Sequence, residues 1–506
     1  MASPDKAKRG IPSKEDFNLW YPAIVEIADL VDKRYPIKGM DVWKPYGWKA
    51  MMLIDGLTRA EMDRTGHEEY NFPLLVPEDL LEKENRLVSL LKKAREQGVD
   101  PEELRLDEEE AGFKKEVYWV KHAGENELEL PMFLRPTSET PMYTMFPLWV
   151  RSHGDLPLKT FQIVNTFRYE TKQTRSFIRV REIHFFEAHT AHKDQEGADA
   201  QIEEDAVIVE NLLRDLCFPA IVSKRPVWDT FPGAWFSNAV DVVMPNGRTL
   251  QVATYHHYKD QWAKAFDLKY EDTEGQTQYC HQTTFGMSER MLGAVVGMHG
   301  DEAGLIFPPK IAPIQIVLMP VAEHLDENVI PSINKIADTL KSAGYRVKVD
   351  DRDLRPGAKH YDWEIKGVPL RLELGPRDLK SGQFVLSMRT GGKASHDVND
   401  LLTVISDSLD STESELRNRA AVHMENLVLD FPGIEQSSDG WKLTKPLQDG
   451  KVYQLAFDGN DSDAEILEKA TGLTFLGDCI DSYGEPQPCA VTGRMTTRKQ
   501  HLARMY

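Results

Sequence analysis

The chain has 506 residues, of which 41% are hydrophobic and 28% charged, and its formal net charge is -20. At ~100–200 residues per domain it is too long for one ordinary domain, and no apolar run reaches the ~18 residues that a membrane helix requires. Four cysteines without a CxxC pair exclude a disulfide scaffold, and the acidic balance excludes indiscriminate nucleic-acid binding while leaving room for a local basic surface.

The opening "MASPDKAKRGIPSKEDFNLW" has neither an apolar core nor a cleavage-like site, so no secretory signal is expected and a cytoplasmic location is. Residues 14–35 are apolar at helical spacing, and 47–66 form a second helix closed by Gly66. "YNFPLLVP" reads as a short strand, and 83–116 as a charge-dense, solvated helical insertion. From 117 to about 310 strand signals dominate, with a turn at "MPNGRTL" and a helix at "SERMLGAVVGMHG". "PPKIAP" at 308–313 suits a linker, and the strands and helices after it form a compact αβ layer domain ending near 410. A helix-rich segment then leads into a small last domain. The expected division is 1–310, 311–410 and 411–506, and the fold class is α+β.

"FRYETKQTRSFIRVREIHFFEAHTAH" (167–192) crowds Arg168, Arg175, Arg179 and Arg181 into one stretch. Clustered guanidiniums need carboxylates nearby or an anion from outside. As a strand, the stretch places Arg179, Arg181, Ile183, Phe185, Glu187 and His189 on one face. That face suits a ligand anionic at one end and cationic at the other; a surface hairpin with cross-strand ion pairs is the alternative.

Other segments also carry chemistry. In "LRPTSE", Thr137 and Glu139 set a hydroxyl and a carboxylate two residues apart, which suits a cation if both lie on one strand face, and "TSET" equally suits a capping box. "LQVATYHHYKD" contains Gln251, Thr254 and His256, and a bulge or kink is needed to bring Gln251 and Thr254 to one face. Gly293 and Gly297 lie four apart on a helix, which implies close packing on a sheet. HxxH at His189 and His192, and the pair His256–His257, lack a third ligand at metal spacing, so no metal is expected there. No GxxxxGK[ST] phosphate loop occurs in the chain.

"LRPTSETPMY" (134–143), "FRYE" with "TRSFIRVRE" and "EAHTAH", "GMSERMLGAVVGMHGD" (286–301) and "KGVPLRLELGPRDL" (366–379), in colinear order, resemble the class II prolyl-tRNA synthetases of the archaeal/eukaryotic type. The resemblance spans most of the chain. It implies an antiparallel catalytic sheet, an α/β anticodon-binding domain and a small α/β C-terminal domain. The implied activity is activation of proline with ATP and Mg²⁺ to prolyl-adenylate, followed by transfer to the 3′ end of tRNA(Pro). By the same resemblance Arg168 contacts the α-phosphate and the substrate carboxylate, Glu170 the adenine amine, Arg179 the phosphates and Arg290 the γ-phosphate. Gln251, Thr254, His256 and Ser288 fall around nucleotide and proline. Thr137 and Glu139 hold the imino group, and Phe185, Phe231 and His189 surround the ring, with Glu187 orienting His189. Phe185 stands where many members have Trp, so a somewhat looser pocket is expected.

The resemblance further implies tRNA contacts at Arg352, Glu373 and Arg377, and a homodimer built on the segment from Asp55 to Pro73. Too little chain separates "HTAH" from "GMSER" for an editing insertion. Tyr506 matches the terminal tyrosine of this type, whose carboxylate folds back toward the catalytic domain. Related chains often carry two cysteine pairs in the last domain, but here Asp458 and Asp463 align with the first pair, and Cys489 with Thr492 with the second; no zinc is expected. Threonyl-type relatives would need metal ligands in the pocket, and a non-catalytic relative should have lost the arginines that stand here.

Overall fold

The computed structural model describes residues 10–97, 117–438 and 440–506. Helix α1 (Phe17–Ile27) starts where the Asp16 carboxylate accepts the Leu19 amide at 3.2 Å, and it ends ahead of a left-handed Asp29, well short of the expected residue 35. Helix α2 (Pro45–Arg64) carries proline in its first turn, where no N–H is needed, and Gly66 takes φ 74° just past its end. After the short strand β1 (Glu68–Glu69) comes α3 (Glu78–Gln97), which spans the described part of the charged insertion. Residues 98–116 of that insertion lie outside the described residues.

Helix α4 (Glu139–Trp149) precedes strands β2 (Leu158–Phe167) and β3 (Glu182–His192), helix α5 (Gln195–Asp215), strands β4 (Ile221–Lys224), β5 (Phe236–Val243), β6 (Arg248–Lys259) and β7 (His281–Ser288), and helix α6 (Arg290–His299). A middle segment follows: β8 (Ile316–Pro320), α7 (Val329–Ser342), β9 (Val347–Val349), α8 (Pro356–Ile365), β10 (Leu370–Leu374), β11 (Gln383–Met388) and β12 (Lys393–Asp397). Helix α9 (Leu401–Leu427) runs unbroken into the last segment, which holds β13 (Val428–Asp430), β14 (Val452–Ala456), α10 (Asp461–Thr471), β15 (Thr474–Pro488) and β16 (Met495–Met505).

Two sheets organise these elements. The larger has eleven strands in the order β13-β14-β16-β15-β4-β5-β6-β7-β3-β2-β1, and its central pairs are antiparallel. The last segment thus extends the larger sheet through β15 and β4, where Asp478 pairs Lys224 and Cys479 pairs Ser223. One face of the central strands is apolar: Val240, Val242, Tyr255 and Phe285 join Trp20, Tyr21, Ile208 and Leu292 of α1, α5 and α6 in a single core. Gly293 and Gly297 allow α6 to approach that core; a Cβ on Gly293 would lie 2.8 Å from the Phe177 carbonyl oxygen, and one on Gly297 would strike Met244. The smaller sheet, β9-β8-β10-β11-β12, has its apolar face covered by α7 and α9.

The opposite face of the central strands is polar and concave. Along β6 the pairing jumps from Ala253 opposite Val240 to Gln251 opposite Asp241, so Val252 is a surplus residue. This is the bulge that the sequence demanded, and it turns Gln251 to the same face as Thr254 and His256.

Candidate active site

On that face lies a cavity of about 800 Å³. Among its walls are Thr137, Glu139, Arg168, Glu170, Arg179, Phe185, Glu187, Phe231, Gln251, Thr254, His256, Ser288 and Arg290. Of the catalytic-segment residues expected from sequence, His189 alone is absent from the walls.

One end of the cavity is anionic. Glu139 opens α4 instead of lying on a strand face, and Thr137 precedes it in the loop, so the expected strand arrangement is replaced by a helix start. The capping box also fails to form: the N-cap is Ser138, whose side chain makes no cap bond. Thr137 Oγ1 instead donates to Glu139 Oε2 at 2.6 Å, and the Tyr258 hydroxyl donates to Glu139 Oε1 at 3.0 Å. Glu187 accepts from the Ser138 amide at 3.0 Å, Thr137 Oγ1 at 3.2 Å and Gln162 Nε2 at 2.9 Å. Burial opposes its charge, but the hydrogen bond from His189 and these donors outweigh it and bring Glu187 down to about 2. His189 lies fully buried behind Glu187, 3.3 Å from it, with its other ring nitrogen 3.0 Å from the Tyr143 hydroxyl. It therefore supports the carboxylate and does not face the cavity, a correction to the ring pocket expected from sequence.

Aromatic groups border the acidic end. The Cζ end of the Phe185 ring approaches Gly286, where a Cβ would come 3.0 Å from it. Phe231 packs against His256 at 4.7 Å between ring centroids, tilted by 32°; His256 Nδ1 is 2.7 Å from Ser237 Oγ, and burial holds His256 neutral by lowering it to about 3.

The other end is cationic. Arg290 is partly buried, donating from Nε to the Ile178 carbonyl at 2.9 Å and from Nη1 to the Gln251 carbonyl at 3.1 Å. Desolvation, then repulsion from Arg179 and Arg168, lowers it to about 10, so it remains charged at neutral pH. Arg168 Nε donates to the Pro136 carbonyl at 3.2 Å, and Arg179 meets Glu170 at 2.6 Å. Burial acts against Glu170, yet the Lys172 amide and Arg179 hold it below its ordinary range.

The arginine puzzle resolves unequally. Strand β3 starts only at Glu182, and Arg175 and Arg179 bridge across a turn with Phe177 at φ 61°, so alternation does not run through them. Arg168 and Arg179 face the cavity. Arg181 caps the Tyr169 ring at 4.8 Å, and Arg175 bonds Asn18 at 3.2 Å and sits 5.8 Å from the Tyr506 ring.

Several participants escaped the sequence reading. Tyr258 lies two residues beyond His256 on β6, so alternation could have found it. Ser138, Gln162 and Arg225, which pairs in the interior with Asp241 at 2.8 Å, carry no local signal.

In the middle segment Arg352 is already bonded to Asp350 and Asp362, each at 2.8 Å. Glu373 is ringed by His360 at 3.0 Å, Arg371 at 2.9 Å and Lys393 at 2.9 Å. Arg377 is exposed in the helix Pro376–Ser381.

Two groups of side chains bear on metal binding. Ligand atoms of Glu139, Glu187 and His189 lie within 4.8 Å of one another, but His189 turns an N–H to Glu187 and both carboxylates already accept from neighbouring side chains, an arrangement suited to an ammonium. In the last segment Asp458 accepts from Thr492 at 2.8 Å and from Arg494 at 3.0 Å, its amide donates to Cys489 Sγ at 3.4 Å, and Asp463 caps α10 with Asn460. A guanidinium placed among these groups is incompatible with a tetrahedral zinc cage.

The comparisons agree with this geometry. Residues 118–299 match the tRNA synthetase class II core domain (G, H, P, S and T), and 315–408 match an anticodon binding domain. The fold and the site together define a class II aminoacyl-tRNA synthetase. Proline–tRNA ligase of Thermococcus kodakarensis is 49% identical over 97% of this chain and 98% of its own length, and that of Methanosarcina mazei is 40% identical over the full length of both. Giardia lamblia prolyl-tRNA synthetase, solved with prolyl-adenylate, superposes with TM-score 0.86 at 34% identity over 98% of this chain and 99% of its own. The chain belongs to the proline–tRNA ligase family.

Proposed function

We propose that this cavity joins proline to ATP and then to tRNA, with the residues in the following roles. The carrying observation is the polarity of one cavity: Thr137, Glu139 and Glu187 at one end, Arg168, Arg179 and Arg290 at the other. Proline's secondary ammonium would be held by Thr137 and Glu139, its ring by Phe185, Phe231 and His256, and its carboxylate would point at Arg168. ATP would enter as its Mg²⁺ complex, with Glu170, Gln251 and Thr254 about the nucleoside and Arg179 and Arg290 toward the phosphates, while Ser288 would lie on the proline side. The proline carboxylate attacks the α-phosphorus and pyrophosphate leaves; a terminal ribose hydroxyl of tRNA then attacks the acyl carbon and AMP leaves.

The first step needs no protein base, because the nucleophile is already an anion. Its barrier is the crowding of negative charge, which prepositioned guanidiniums lower. We assign 1–310 to catalysis, 311–410 to anticodon reading through Arg352, Glu373 and Arg377, and 411–506 to a metal-free module packed on the catalytic sheet, with no editing in cis. A homodimer is supported by the apolar surface around α2, where Trp48 is 38% and Met52 48% exposed. The cysteines and the lack of any described helix fit to cross a membrane support a cytoplasmic site. Pyrophosphate exchange into ATP across the twenty amino acids tests the assignment. Exchange with proline foremost is expected, and exchange driven best by another amino acid would overturn it.

A further inference from the structure

At the rim of the cavity, one turn of helix (Val227–Asp229) holds Trp228 with 42% of its surface exposed, although its ring also lines the cavity. The turn is pinned from several sides. Asp229 and Thr230 amides donate to Pro226 at 3.0 Å and Val227 at 3.4 Å, and the Arg225 amide donates to Ser237 at 2.8 Å. The Arg225 side chain pairs with Asp241 at 2.8 Å and Asp229 at 3.4 Å and donates to the Leu476 carbonyl at 3.1 Å, tying the turn to β15. Among the described residues its one ring neighbour is Phe475, at 6.4 Å. A large apolar ring, rigidly mounted and left half open to solvent, contributes little to the core and is ready to bind a flat partner.

The second exposed aromatic of the rim is Tyr169, 46% exposed, but its face is taken by Arg181 at 4.8 Å and its edge meets Tyr118 at 5.6 Å. Proline and ATP fill the interior, so what crosses the rim is the tRNA strand end, whose ribose hydroxyl must reach the adenylate. That strand ends in a base with two flat faces, and such bases are held chiefly by stacking on aromatic side chains.

We propose that Trp228 is the stacking platform for the terminal base of the tRNA and positions the hydroxyl for acyl transfer. This rests on the ligase reading above. Trp228 is a positioning residue of the second step and makes no demand on the first.

The test uses the full-length enzyme, proline, ATP and a tRNA(Pro) transcript, with pyrophosphate exchange and aminoacylation measured separately. Trp228→Ala is expected to keep exchange within a few-fold while aminoacylation kcat/KM for tRNA falls by roughly ten- to a hundredfold, and Trp228→Phe to recover most of the loss. A transcript lacking only its 3′-terminal base should be poorly charged by the unaltered enzyme, and no worse by Trp228→Ala, because both remove the same contact. Losses that multiply, or a fall in exchange equal to that in aminoacylation, overturn the platform. Should the alanine variant fail to fold, Trp228→His, a smaller flat ring, with the same pair of transcripts gives the same decision. Absence of proline-dependent exchange in the unaltered enzyme would instead defeat the ligase reading.

Discussion

Replacing Arg168 with alanine separates charge stabilisation from fold. Its Nε donates to the Pro136 carbonyl at 3.2 Å, a net contribution to stability of about 1 kcal/mol, so the variant should fold and melt a little earlier. The guanidinium lines the cavity, where in the proposed reaction the attacking carboxylate and the α-phosphate would meet. Removing one prepositioned donor from such a site costs about 3–4 kcal/mol of transition-state stabilisation, or roughly 100- to 1000-fold in rate. Arg179 and Arg290 do not compensate, since Arg179 is engaged with Glu170 at 2.6 Å and Arg290 is anchored by two backbone carbonyls. Arg168→Lys should recover little, because a point charge cannot reproduce the planar fork. The assay is proline-dependent pyrophosphate exchange at saturating ATP, with circular dichroism to check the fold. A folded Arg168→Ala enzyme retaining exchange to within about tenfold would refute the clamp.

Glu139→Gln should chiefly raise the KM for proline and leave kcat little changed, because the imino contact exists before and during reaction; a kcat loss with unchanged KM would count against it. Deleting Met505 and Tyr506 should lower exchange by about tenfold, since Met505 lines the cavity and the Tyr506 ring packs on Arg175 and Arg248, each at 5.8 Å. An unchanged rate would make the terminus an idle tail. In the last segment the Asp458–Arg494 pair stands where metal would bridge the loops, so chelator should alter neither the melting temperature nor tRNA binding. Stoichiometric zinc by elemental analysis, lost in Cys489→Ser, would show this wrong, whereas Arg494→Ala should loosen the module without changing its metal content.

The sequence by itself determined the α+β class, and its resemblance to a known family picked out the charged residues at both ends of the cavity. Alternation is local, so the spacing of Gln251 and Thr254 was enough to call for the bulge between them. Local patterns fail where long-range pairing decides. Arg181 looked like a partner of Arg179 by alternation, yet the Phe177 turn broke the strand and sent it onto Tyr169. His189 shares a face with Glu187 on β3, but α4 and Tyr143 pack over it, so burial made it a support. The joining of the last segment to the catalytic sheet depends on Asp478 finding Lys224, and the pinning of Trp228 depends on Arg225 reaching Leu476, 251 positions away. Each such contact is set by the packing of whole layers against one another, and no window of neighbouring residues carries that energy.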